Sequence, residues 1–176
     1  MSNGTAASKS VDAVLQEVSS RLRLLYKTAE SCFHQIDDAG LWHRPTPNGN
    51  AIGNLGLHLA GSLRMLIVNK IGGRLFQRDR AAEFAARGGM TREQVLGALR
   101  DAIEEACAVI EGLPAEKVAD PISLFGADRP IASALILVVA HTGLHVGQIQ
   151  LMTRNLIGES YRETWASPPA PGAPAR

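Results

Sequence analysis

Between Ser10 and Asp37 the apolar residues Val11, Val14, Leu15, Val18, Leu22, Leu25, Ala29, Phe33 and Ile36 recur three or four positions apart, with charged residues between them. That spacing predicts one long amphipathic helix. Asp37, Asp38 and Gly40 mark its end, and Pro45, Pro47 and the Asn48-Gly49 pair forbid its continuation. Asn50 is then placed to cap a second helix over about 51–71. Its apolar stripe is Ile52, Leu55, Leu59, Leu63 and Leu66, and Gly72-Gly73 stops it.

The segment 74–90 is charged and alanine-rich, with room for one short helix near 81–86. Thr91 and Gln94 have the spacing of a capping box and open a third helix carrying Val95, Leu99, Ala102, Ala106, Val109 and Leu113 on one side, ended by Pro114. After a Pro- and Gly-containing connection, Pro130 suits the first turn of a fourth helix reaching about Leu156. The first half of that helix, 131–140, is almost wholly apolar, which places it at the centre of a bundle. The fold class expected is therefore all-α, a four-helix bundle over 10–165. Residues 1–9 form a flexible leading segment, and 166–176, rich in Pro and Ala, form a disordered tail.

A chain of 176 residues can bury a sufficient core as one domain without covalent staples. Cys32 and Cys107 both fall in helical pattern and read as buried free thiols. With 18 basic against 17 acidic residues the net charge is +1. This balance offers no electrostatic case for nucleic acid, and no Lys/Arg run suggests a lipid surface. The first ten residues lack the basic start and apolar run of a secretory signal, and no uninterrupted apolar stretch approaches the ~20 residues of a membrane span. A cytoplasmic location is expected, with a small molecule or a second copy of the chain, as a homodimer, for partner.

Of the five histidines, His141 and His145 stand four apart, so a helix projects both imidazoles from one face at a chelating distance. Five scattered histidines produce such a pair by chance often enough that spacing alone is weak. The same face carries Ala134, Val138, Ile149, Met152 and Leu156, and imidazoles set in an apolar stripe need hydrogen-bond partners or a metal. His58 shares a mixed face of the second helix with Asn54, Ser62, Met65 and Asn69, which suits the wall of a partly polar cavity. Two readings stay open: one metal site, or histidines hydrogen-bonded separately in the core. Periodicity does not bring His58 to the pair. His34 and His43 are expected to be structural or exposed.

Trp42 and Pro45, the run Ala51-Ile52-Gly53-Asn54-Leu55-Gly56-Leu57-His58-Leu59, and His141-Thr142-Gly143-Leu144-His145-Val146-Gly147-Gln148-Ile149 together resemble the DinB/YfiT-like superfamily over roughly residues 11–158. The resemblance implies a four-helix bundle of up-down-down-up order, with 72–90 and 113–129 as its long crossovers. It also implies a three-histidine site holding a divalent metal, which maps onto His58, His141 and His145. Some members of that superfamily transfer low-molecular-weight thiols or use one as coenzyme. Others are regarded as metal-dependent hydrolases.

Three neutral imidazoles leave a divalent ion at least one open coordination position. There it can lower the pKa of a thiol or a water, and nickel and zinc both suit imidazole. The pair is His-Thr-Gly-Leu-His, without the glutamate of the His-Glu-x-x-His zinc proteases, and no acidic residue occurs on the fourth helix before Glu159. A metal-activated thiol, which needs no carboxylate base, therefore fits better than peptide hydrolysis. The expected function is that of a metal-dependent thiol transferase acting on a small electrophile, with a hydrolase and a noncatalytic metal-binding bundle as alternatives. Asn54 and Gln148 are placed to orient an imidazole. Arg78, Asp79, Arg80 and Glu83 can recognise a substrate carboxylate, although a solvated charged loop is the simpler reading. Trp42 reads as a lid over the bundle end.

Overall fold

The computed structural model describes residues 2–162, and residues 2–5 by backbone alone. The expected tail, 166–176, lies outside the described residues. Helix α1 (Ser2–Phe33) begins upstream of the expected Ser10, so the start of the chain through Lys9 is helical from Ser2 onward. The short α2 (Asp38–Trp42) follows, capped by Asp37, whose Oδ1 accepts from the Gly40 amide at 2.8 Å. Helix α3 (Ile52–Leu63) continues into a single wide π-turn, Arg64–Asn69. Asn50 does not cap α3. Asn54 reaches back instead, and its Oδ1 accepts from the Ala51 amide at 2.9 Å.

The short α4 (Arg80–Ala85) lies where one short helix is expected, started by Asp79, whose Oδ1 accepts from the Ala82 amide. Helix α5 (Arg92–Glu111) opens on the reciprocal box between Thr91 and Gln94. Strands β1 (Pro121–Leu124) and β2 (Ala127–Pro130) then form an antiparallel hairpin leading directly into α6 (Ile131–Ile157). Helices α1 and α3 each pack against both α5 and α6, so the long helices enclose one shared core. Leu22, Phe33, Leu59, Leu63, Leu99, Ile103 and Ile149 are fully buried in it.

Two features depart from expectation. The hairpin falls in the stretch read as an irregular connection, and its turn, Phe125-Gly126, has φ of 50° and 83° at its two central positions. Positive φ at both positions is the mirror-image turn that matches strand twist, normally signalled by Asn-Gly; Phe in the first place hides it. Helix α6, in turn, is not central. Ala134, Leu135, Val138, Val146 and Ile149 face the core, while Ile136 (71% exposed), Leu144 (63%) and Leu151 (59%) face outward. By length and composition Ile131–Ser160 is apolar enough to cross a membrane, because His141, His145 and Gln148 interrupt its run without adding formal charge. In this fold it packs against α1 and α3.

Candidate metal centre

Helix α3 contributes His58 and α6 contributes His141 and His145, and packing of α3 on α6 brings the three together. Their ring centroids lie 5.1 Å (His58–His141), 5.0 Å (His58–His145) and 4.5 Å (His141–His145) apart, with the planes at 73°, 84° and 89°. One ring nitrogen from each residue lies within 4.8 Å of the other two. Three nitrogens so placed could hold a single divalent ion. His58 is buried, and the other two are half-buried.

Hydrogen bonds orient two of the imidazoles. His58 Nδ1 lies 3.1 Å from Glu83 Oε2, and Arg78 clasps the same carboxylate with Nε on Oε1 at 2.6 Å and Nη2 on Oε2 at 2.7 Å. Arg78 Nη2 also donates to Ser62 Oγ at 3.0 Å and to the His58 carbonyl at 3.3 Å, and lies 3.0 Å from His58 Nδ1, so Glu83 and Arg78 hold that ring together; a proton on Nδ1 goes to the Glu83 carboxylate, which can only accept. His145 Nδ1 donates to Gln148 Oε1 at 2.7 Å. In both residues a proton on Nδ1 leaves Nε2 its lone pair, the tautomer a metal needs.

The electrostatics favour the neutral form of His141 and His58. Burial, followed by the neighbouring His145, His58 and Arg78, lowers the His141 pKa to about 4. Burial also lowers that of His58, with Arg78 and His145 acting in the same direction and Glu83 opposing them. Neutral imidazoles are the ligating form, so the donor set fits a divalent ion.

The sequence profile of the DinB superfamily matches residues 21–149. The chain belongs to the DinB superfamily. Three crystal structures share its fold. A conserved protein from Enterococcus faecalis superimposes with a TM-score of 0.68 at 17% identity, covering 83% of this chain and 98% of that one. A DinB-like protein from Bacillus cereus gives 0.63 at 13% identity, covering 76% and 86%. A DinB-like protein from Bacillus subtilis gives 0.61 at 16% identity, covering 80% and 92%. These likenesses bear on fold. No curated protein matches the chain in sequence.

Within this DinB chain, the residues singled out around the histidines separate into distinct jobs. Gln148 holds His145, as its spacing suggests. Asn54 touches no imidazole. Its Nδ2 donates to the carbonyls of Glu83 (2.8 Å) and Ala86 (3.0 Å), fastening the α4 segment to α3. Arg44, in a stretch with no periodic pattern to mark it, donates to Asn54 Oδ1 and to the carbonyls of Gly49, Phe84 and Ala86. Arg78 and Glu83 are not a solvated loop, since both side chains are about nine-tenths buried behind His58. Asp79 and Arg80 remain exposed. Trp42 closes the end of α3 as expected, with its ring over Gly53 and Nε1 donating to the Met90 carbonyl at 2.9 Å. His34 and His43 are exposed and stand outside the cluster.

Neither cysteine is available as a nucleophile. Both are fully buried, and burial pushes the Cys107 thiol up to about 11. At pH 8 the native protein is expected to resist iodoacetamide, with both thiols alkylated only in denaturant. Labelling of the native chain, read by mass spectrometry, would contradict this.

Proposed function

We propose that this chain is a metal-dependent transferase of small thiols, in which His58, His141 and His145 hold a divalent ion, nickel or zinc. The observation that carries the reading is the convergence of three imidazoles with no carboxylate in the group among the described residues. A divalent ion bound there would supply Lewis acidity, which lowers the pKa of a coordinated thiol or water. Glu83, the carboxylate bonded to His58, stands at its Nδ1 and is neutralised by Arg78, so it orients the ring instead of serving as a base. With the chain's own thiols buried, the attacking thiol comes from solution. Its sulfur forms a bond to the electrophilic carbon, the leaving group departs with its bonding pair, and the thiol proton goes to solvent. The up-down-down-up order of α1, α3, α5 and α6 belongs to the same reading, as does a cytoplasmic location.

Metal-loaded protein incubated with 1-chloro-2,4-dinitrobenzene and a panel of low-molecular-weight thiols is expected to give conjugates that chelation abolishes. A panel with no metal-dependent conjugate, by mass spectrometry, would favour a bundle that binds metal without catalysis.

For the outward face of α6 we propose a second copy of the chain as occupant. Ile136, Leu144 and Leu151 repeat at helical spacing beside Gly143 and Gly147, whose outer sides are open to close approach. Sedimentation velocity is expected to show a dimer that Leu144→Glu/Leu151→Glu converts to monomer. A monomeric wild type would contradict it.

A further inference from the structure

A cavity of about 190 Å³ opens beside the histidines, with His58 and His141 at its inner wall and Met65, Leu137 and Phe125 around its apolar sides. It has room for about six non-hydrogen atoms at the volume a water occupies. Phe125 sits at the tip of the hairpin turn with its side chain 81% exposed, and it holds φ at 50°, a backbone region that bulky side chains rarely adopt. A local backbone cost is thus accepted to place an aromatic ring at this opening.

The charges on the cavity wall do not balance. Arg78 is committed to Glu83 through two short contacts. Arg80 is the other cation on the wall, and its one contact among the described residues is with the face of Phe84, whose ring centroid lies 4.9 Å from its guanidinium carbon. Phe84 in turn rests 4.7 Å from the His58 ring. This cation–π contact holds the guanidinium beside the cavity and leaves its N–H groups available to an anion. In the metal-free chain this is one uncommitted positive charge beside a short apolar cavity, which suits a single carboxylate.

We infer that the cavity binds a small monocarboxylate, with Arg80 on the carboxylate and Phe125 and Leu137 on a short apolar body that reaches the histidines. The inference rests on reading this cavity as the small-molecule site of the proposed transferase, and it assigns that substrate, or its thiol, a carboxylate. Arg80 and Phe125 are then specificity-determining residues.

The test is a calorimetric titration of metal-free protein with butanoate and with the neutral butanamide. Wild type is expected to prefer butanoate, and Arg80→Gln to lose about fivefold in butanoate affinity, the effect of one charge-assisted contact at a half-open site, with butanamide unchanged. Phe125→Gly is expected to weaken both ligands alike. Equal affinity for the two ligands, no butanoate binding, or butanoate affinity unmoved by Arg80→Gln would overturn the inference. Unchanged circular dichroism and melting temperature of each variant separate loss of a contact from loss of fold. Because the titration uses metal-free protein, its failure is distinct from failure of the transferase reading, which the conjugation assay reports.

Discussion

Asn54→Ala is expected to lower stability by about 3 kcal/mol and the melting temperature by about 10 °C. Asn54 is fully buried, and its amide serves two backbone segments at once. Oδ1 takes the Ala51 amide, which starts α3, and an Arg44 N–H; Nδ2 gives to the carbonyls of Glu83 and Ala86. Truncation leaves the Ala51 amide and the Glu83 carbonyl without their side-chain partner, and each buried polar group so stranded costs about 1–3 kcal/mol. Asn54→Asp keeps the acceptor for Ala51 but replaces the donor with a carboxylate facing two carbonyls, so it is expected to rescue little. A thermal melt that leaves Asn54→Ala within a degree of wild type would show that α4 is not fastened in this way.

Gly61→Ala is expected to weaken metal binding about 10- to 100-fold while leaving most of the fold intact. Gly61 lies one turn after His58 on α3, and a Cβ built there collides with Glu83 Oε1 and meets Arg78 Nε at 3.0 Å. Both atoms belong to the buried clasp behind His58. The added methyl therefore acts on the ring through its support, because a displaced Glu83 no longer accepts the Nδ1 proton. Glu83→Gln tests the same chain of contacts by chemistry instead of bulk. It keeps an acceptor but removes the charge that pairs with Arg78, and a loss of similar size is expected. Competition with a chromophoric chelator reads both variants. Wild-type affinity in both would mean that Glu83 is a structural ion pair with no bearing on the imidazole.

The legible parts of the fold and site are those carried by local spacing. The i, i+4 pair His141/His145 and the i, i+3 partner Gln148 needed only a helix, which the surrounding apolar period announced. The Thr91/Gln94 box and the breaks at Gly72-Gly73 and Pro114 likewise marked helix ends through their own chemistry. His58 was different, because joining it to the pair depends on how α3 crosses α6, and that crossing is set by core residues far apart in sequence. The Arg78–Glu83 clasp was hidden for the same reason. Charges in a stretch without apolar period look solvated, and the available signal lay on another helix, where Gly61 and Ser62 leave a hollow for the pair. Arg44 gave no local sign of its four acceptors. The hairpin escaped because its strands are four residues long, three positions of β2 are Asp, Arg and Pro, and its turn carries Phe where Asn or Gly is usual.

The most direct test is the metal content of protein purified without an affinity tag, by mass spectrometry of the element, beside His141→Ala/His145→Ala prepared identically. One divalent ion per wild-type chain and close to none in the variant is the expected result. Equal metal content in the two, or none in wild type even after incubation with nickel or zinc, would contradict the three-histidine site.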